Sequence, residues 1–359
     1  MKTINIDLKE NSYDILIENG LLENIGDKIR LVYEGEKIAV ITDNNLHKLY
    51  SNNLYTRLTK AGFKVSIIVI ESGEASKSIN TLEYIYNKLA CEGITRTDLI
   101  LAFGGGVVGD VAGFAASSYL RGISYIQIPT SLLAQVDSSI GGKTAINLSY
   151  GKNLVGCFYQ PKLVLIDTNV LSTLEEDYIR DGMSEVIKYA CIDDKDFFEF
   201  LKNLDISSLP SHYEDIVYKC CNIKKKYVEA DERDTGIRMK LNFGHTIGHA
   251  IEKYFNYESY SHGQAVAIGM YNICLESEES GYTEHGTSDR ISEILIKYGL
   301  KYKLPSMDMD KFGKIIKSDK KNMFSKLNLI YLKRIGEASI VNKYILEWFL
   351  WEKYILSHL

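Results

Sequence analysis

The stretch LILAFGGGVVGDVAGFAAS, residues 99–117, decides the fold. An apolar run ends in Gly104, Gly105 and Gly106, and a helix is expected to start near Val107 and continue through Ala112 and Ala115. Glycines let the main chain approach a pyrophosphate, and a helix start offers unpaired N–H groups and the positive end of a dipole. Gly104, Gly106 and Gly109 satisfy G-x-G-x-x-G, although a glycine turn that merely packs strand against helix has the same pattern. The ribose-binding acid usually found about 20 residues later is missing, because 124–129 reads SYIQIP. Asp43, in VITDNN at the end of an earlier strand, is the acidic candidate instead. This implies a dinucleotide site built in a different strand order.

Outward from this stretch, two hydrophobic periods alternate. KIAVIT (37–42), KVSIIVIE (64–71), DLILAF (98–103), SYIQIP (124–129) and KLVLID (162–167) read as strands, and Leu46–Ala61 and Asn80–Cys91 as helices. Such alternation means parallel βαβ units and a Rossmann-like α/β sheet. From about residue 172, Leu174–Ile192, Leu209–Asp231, Met239–Asn256, His262–Ser280 and Ser288–Gly299 are helix-like, and only Leu327–Val341 alternates like a strand. The chain therefore divides near 176, into an α/β nucleotide-binding domain (1–176) and a mainly α-helical domain (177–359).

The chain has 359 residues, 45% hydrophobic and 25% charged, enough apolar material for two cores. Its 42 basic and 47 acidic residues give a net charge of -5, which offers no electrostatic reason to bind nucleic acid or an anionic membrane. The six cysteines form no C-x-x-C pair and read as reduced thiols. No secretory h-region and no membrane-length apolar run is present, so a cytoplasmic protein is expected.

A second loop, Ser72 to Lys77, also joins a strand to a helix, with Ser76 or Ser78 able to cap the helix. Among the 7 histidines, His245, His249 and His262 lie close together. His245 and His249 are four apart and share a helix face, so spacing nominates both as zinc ligands and leaves the remaining ligands open. Basic residues gather near polar turns: Arg121, Lys143 in GGKTA, Lys152 in GKNLVG, Lys188, Lys224, Arg238 and Lys320-Lys321. Together they suit a phosphate or a carboxylate, though each alone fits a solvated surface cation.

The chain resembles the 3-dehydroquinate synthase family over nearly its whole length. The resemblance rests on GGGVVGDVAGFAAS, RGISYIQIPTSLLAQVDSSIGGKTAIN, GKNLVGCFYQP, MSEVIKYA, DERDTGIRMKLNFGHTIGHAIE, HGQAVAIGM and SDKKN. It implies Glu185, His245 and His262 as ligands of a catalytic zinc (cobalt being a possible substitute), with His249 left free. It places NAD on Asp43, Asn45, Gly73, Glu74, Lys77, Gly105, Gly106, Val107, Val108, Gly109, Asp110, Thr130, Ser131, Lys143, Lys152, Val170, Leu171, Ser172 and Thr173. Asp137, Lys143, Asn153, Lys188, Lys224, Arg238, Asn242, His249 and Lys320 or Lys321 would line the substrate pocket. Lys224 and Arg238 suit the substrate carboxylate. Arg121 would reach a neighbouring subunit's site, which implies a homodimer.

The implied reaction converts 3-deoxy-D-arabino-heptulosonate 7-phosphate to 3-dehydroquinate and phosphate. It runs through transient oxidation by NAD, phosphate β-elimination, re-reduction, ring opening and aldol closure. Rival readings are a sugar phosphate cyclase acting on a substrate without a carboxylate, a metal-dependent polyol dehydrogenase of the same fold, and an inactive NAD-binding scaffold. Two features depart from the family pattern: Gln264 stands where Glu is usual after HG, and the tail from Asn342 is unusually aromatic.

Overall fold

The computed structural model describes residues 1–319 and 326–344. In chain order its first elements are β1 (Lys2–Ile6), β2 (Tyr13–Ile17), α1 (Ile25–Arg30), β3 (Lys37–Asp43), α2 (Asn44–Lys60), β4 (Lys64–Ile70) and α3 (Ile79–Cys91). Then come β5 (Leu99–Gly104), α4 (Gly106–Ser118), β6 (Ser124–Pro129), β7 (Lys143–Leu148), β8 (Gly151–Phe158) and β9 (Leu163–Ile166). The later elements are α5 (Glu176–Asp193), α6 (Lys195–Asn203), α7 (Tyr213–Ala230), α8 (His245–Tyr254), α9 (His262–Glu279), α10 (Thr287–Lys297), α11 (Met309–Asp319), β10 (Lys326–Arg334) and β11 (Glu337–Tyr344). Among the described residues, no helix is long and apolar enough to cross a membrane.

Two compact units result: Met1–Glu175 with Pro210–Arg233, and Glu176–Leu209 with Asp234–Leu359. A single cut near 176 thus does not describe the chain, because the segment carrying α7 packs with the first unit. Lys2 pairs with Asp215, and Glu229 accepts from the Asp7 N–H at 2.7 Å.

The first unit is a seven-stranded sheet in the order β1-β2-β9-β6-β5-β3-β4, with only the β1–β2 pair antiparallel. Both faces of the inner strands are apolar, as a covered parallel sheet requires. Val40, Leu101 and Phe103 pack with Leu54 and Leu58 of α2 on one face. Ile41, Ile100 and Ala102 pack with Leu82 and Ile85 of α3 and with Val108 and Ala112 of α4 on the other. Helices after β3 and β5 therefore leave to opposite sides. This makes the gap between these adjacent strands the crevice where such sheets bind ligands.

The second unit is mainly helical. Met239–Asn256 is not one helix: a 3-10 turn (Ile237–Asn242) precedes α8, and Gly244 breaks the run at φ 81°. That bend is forced by close packing, since a Cβ on Gly269 of α9 would lie 1.9 Å from the Gly244 carbonyl oxygen. Leu327–Val341 is likewise not one strand but most of a hairpin, turning at Ile335 and Gly336. The elements β1, β2, α1, α6, α11 and the β7–β8 hairpin escaped the periodicity reading. In the hairpin, glycines and lysines had marked GGKTA and GKNLVG as turns.

Candidate active site

Glycines bring α8 and α9 close enough for their histidines to meet. A Cβ on Gly248 would lie 3.1 Å from the Ala265 carbonyl oxygen, and one on Gly263 would lie 2.2 Å from the Asp181 carbonyl oxygen. Asp181 Oδ1 also accepts from the Gly263 N–H at 2.5 Å, which pins the first turn of α9. His262, the first residue of α9, then faces His245, the first residue of α8, with ring centroids 5.3 Å apart.

Glu185, fully buried on α5, completes the cluster. Its Oε1 lies 3.5 Å from His245 Nε2 and 3.6 Å from His262 Nε2, and the three donor atoms lie within 4.8 Å of one another. A tetrahedral ion bound at about 2.1 Å holds its donors about 3.4 Å apart. The set therefore fits one divalent ion with positions left open. Lys188, one turn along α5, donates to Glu185 Oε2 and leaves Oε1 as the atom facing the imidazoles.

The surroundings orient these candidate ligands. His245 Nδ1 lies 3.1 Å from the Phe243 carbonyl oxygen, which fixes a tautomer with the Nε2 lone pair toward Glu185. Burial holds the His245 imidazole neutral, its pKa down at about 3. Burial works against a charge on His262 too, but the neighbouring carboxylates of Glu185 and Glu252 carry it up to about 10. A proton there competes directly with an ion. Glu252 Oε2 stands 3.6 Å from His262 Nδ1, in the arrangement by which carboxylates steer metal-binding histidines.

Spacing alone had paired His245 with His249. His249 instead joins Glu252 and His262 in a second, overlapping donor group and is exposed. Sequence reasoning missed Glu252 and Asp181. Glu252 follows His245 by seven residues, two helical turns, so its place on the same face was readable.

In the first unit, residues Ile41 and Ala102 are paired, so Asp43 and Gly104 end neighbouring strands at the same level. Two glycines of the fingerprint have packing reasons: a Cβ on Gly104 would lie 2.4 Å from Val108 Cβ, and one on Gly109 would lie 2.7 Å from Gln127 Oε1. Gly105 precedes α4 with no side chain capping the helix, so the first-turn N–H groups of Gly106, Val107 and Val108 suit a phosphate. The Val108 side chain itself is core. These features fit a dinucleotide.

Asp43 accepts from the N–H groups of Asn45 and Leu46, both at 2.9 Å, and so caps α2 as well as standing at the crevice. Ser78 caps α3 through the Thr81 N–H at 3.2 Å. Lys77 donates to Asp110 Oδ2 at 2.6 Å and to Asn153, while Lys152 lies 3.9 Å from Glu74. Lys224 donates to the Asp137 carbonyl oxygen at 2.6 Å and to its carboxylate at 2.7 Å, on a π-turn (Ala134–Ser138).

Thr130 is buried, and Ser131 accepts from the Ala134 N–H at 3.3 Å. Val170 and Leu171 are core, and Ser172 and Thr173 bond the carbonyls of Asn169 and Val170. Lys143 and Arg121 are exposed, Arg121 with φ 71°. In the second unit Arg238 is buried at 2% exposure and Asn242 half-buried. Gly73 has φ 101° and Asn45 is exposed. Lys320 and Lys321 lie outside the described residues, as does the tail beyond Tyr344. All six cysteines are free thiols.

Fold and donor set define a class: an α/β dinucleotide-type unit and a helical unit with a carboxylate–imidazole donor set suited to a divalent ion, on one chain. Family models described as 3-dehydroquinate synthase N-terminal and C-terminal match residues 67–181 and 182–322. The chain belongs to the 3-dehydroquinate synthase family. It is 51% identical over 339 residues to the 3-dehydroquinate synthase of Clostridium beijerinckii, covering 94% of this chain and 97% of that one. With that of Clostridium perfringens it shares 53% over 343 residues, 95% and 98% of the two chains.

Among solved structures, 2-deoxy-scyllo-inosose synthase complexed with carbaglucose-6-phosphate, NAD+ and Co2+ matches with a TM-score of 0.87 at 26% identity, covering 98% of this chain and 100% of that one. An iron-containing alcohol dehydrogenase, at TM-score 0.64 and 14% identity over 87% of this chain and 91% of that one, shares the fold alone.

Proposed function

We propose that this chain carries out the 3-dehydroquinate synthase reaction, a carbon–oxygen lyase step. It converts 3-deoxy-D-arabino-heptulosonate 7-phosphate to 3-dehydroquinate and inorganic phosphate, in the route to aromatic amino acids. The observation that carries this reading is the convergence of Glu185, His245 and His262 on a volume suited to one divalent ion, in a chain 51% identical to a curated member.

In this reading a zinc or cobalt ion on those three residues supplies a Lewis acid for the hydroxyl to be oxidised, and NAD in the first unit supplies a hydride acceptor restored each turnover. The chain's own residues then bind and orient. Lys188 and the Phe243 carbonyl hold Glu185 and His245 in place, so the ligands need no rearrangement when the ion arrives. Arg238 offers a buried guanidinium to the substrate carboxylate, and Lys224, steadied by Asp137, offers an ammonium to the same group. Asn153, Asn242, His249 and Lys320 or Lys321 are assigned to the phosphate, and Asp137 and Lys143 to the lining of the substrate pocket. Fixed cations and amides confine a flexible intermediate to one pose, which serves this chemistry better than a set of strong bases.

We extend the reading to a cytoplasmic homodimer in which Arg121 reaches a neighbouring subunit's site. Its exposed side chain and left-handed backbone support that role. Substrate profiling tests the whole: the sugar acid should be turned over in strong preference to sedoheptulose 7-phosphate and glucose 6-phosphate. Those sugars lack a carboxylate and would forgo the charge-assisted contacts that Arg238 and Lys224 offer to one. Preference for either sugar phosphate would reverse the assignment.

A further inference from the structure

Asn147, at the end of the motif GGKTAIN, was given no role by the sequence, yet it joins three segments of the first unit. Its main-chain N–H donates to the Lys77 carbonyl oxygen at 2.8 Å. Its Nδ2 donates to Glu74 Oε1 at 2.8 Å, and its Oδ1 accepts from the Asn153 N–H at 2.9 Å. Chemistry fixes this amide: an ionised carboxylate only accepts and a main-chain N–H only donates, so a flipped side chain would mismatch both partners.

Lys77, 5% exposed, closes the ring by donating to Asp110 Oδ2 at 2.6 Å and to Asn153 Oδ1. Asn153 has φ 55°, a left-handed backbone that non-glycine residues adopt only where the surroundings hold it. Asn147 grips its main chain and Lys77 its side chain. The loop Gly73–Lys77, the first turns of α4 and the start of β8 thus form one hydrogen-bonded network.

We infer that Asn147 is a positioning residue that couples the dinucleotide loop to the substrate-phosphate residue: by holding Glu74 and Asn153 in register, it makes binding of either ligand favour the other. This rests on the reading above, in which Glu74 serves NAD and Asn153 serves the phosphorylated sugar acid. Coupling of this kind is reciprocal, so a defect at the joint weakens both ligands together.

Two variants of the full chain test it. Asn147→Ala removes both side-chain bonds, whereas Asn147→Asp is isosteric, keeps the acceptor toward Asn153 and sets a carboxylate against Glu74. For Asn147→Ala we expect the NAD Kd and the sugar-acid KM each to rise about ten-fold, from the loss of the bond to the Glu74 carboxylate and of the bond from the neutral Asn153 N–H. Its kcat at saturation should change less than about three-fold, and amide exchange at Asn153 should speed up. Asn147→Asp should weaken NAD by a similar factor of about ten and, because the coupling is reciprocal, should also raise the sugar-acid KM at saturating NAD. Thermal melting separates these effects from unfolding, and Asn147→Asp decides alone if the alanine variant does not fold.

Wild-type affinities in both variants, or a loss confined to one ligand in Asn147→Ala, overturn the coupling. A wild-type chain that binds neither NAD nor the sugar acid overturns the functional reading itself, even where Asn153 exchange still responds to Asn147.

Discussion

Glu252 on α8 places its carboxylate 3.6 Å from the Nδ1 of His262 on α9, so the side of the imidazole facing away from Glu185 is held by a buried acid. In the proposed metal site this contact would orient His262 and raise its basicity. Glu252→Ala should therefore weaken zinc or cobalt binding about 10–100-fold while Glu185, His245 and His262 all remain present. Competition with a calibrated chelator measures this, and unchanged affinity would remove Glu252 from the metal centre.

Lys188 and Glu185 form a buried pair, with side chains 2% and 0% exposed. Removing one member of such a pair costs about 3–5 kcal/mol because the other charge stays buried. Lys188→Met should thus lower the Tm of the metal-free protein markedly, and a bound divalent ion should recover much of the loss by neutralising Glu185. Melting with and without zinc reads the difference. An equal drop in both states would show that the ion does not meet this carboxylate.

Gly269 admits no side chain, since its Cβ would lie 1.9 Å from the Gly244 carbonyl oxygen. Gly269→Ala should push α8 from α9 and destabilise the second unit by about 3 kcal/mol, as overpacked cores do. The same displacement separates His245 from His262, so metal affinity should fall with Tm. A stable, metal-replete variant would contradict the packing argument.

How much of this was legible in the sequence follows from what each signal encodes. The strand–glycine–helix stretch at 99–117 and the alternating periods of the first half gave the sheet and the helices on its faces, because burial on both faces writes continuous apolar runs. The antiparallel β1–β2 and β7–β8 pairs were hidden: their strands are short or half-exposed, and glycines in β8 read as turns. The single cut near 176 failed because α7 is set in the first unit by contacts with β1 and with the π-turn, which periodicity does not record. Spacing found His245 but chose His249 as its companion. Only the fold brings Glu185, sixty residues earlier, and His262, on the next helix, to the same point. The family resemblance supplied that set; it gave no hint of Glu252, Asp181 or Asn147.

Glu278, near the end of α9, caps α10: it accepts from the Gly286 N–H at 2.6 Å and the Ser288 N–H at 2.8 Å, and pairs with His285 at 2.7 Å. Burial pushes its pKa up, but His285 and the two N–H groups outweigh that and hold it at about 2. A carboxyl whose folded pKa lies below its unfolded value stabilises above the unfolded pKa of about 4.3 and loses that contribution as pH falls toward the folded one. Wild-type stability should therefore decline between about pH 4.3 and 2 partly through this group. Glu278→Gln should be less stable at neutral pH and show a shallower acid slope. Denaturant midpoints across that range test it, and parallel slopes would deny the cap its charge.

The most direct measurement of the central claim follows phosphate and NADH together in one reaction with 3-deoxy-D-arabino-heptulosonate 7-phosphate and NAD. One phosphate should be released per sugar acid consumed, with no standing NADH, loss of turnover on chelation and its return with zinc or cobalt. NADH accumulating in step with substrate consumed, or phosphate release indifferent to the chelator, would contradict it.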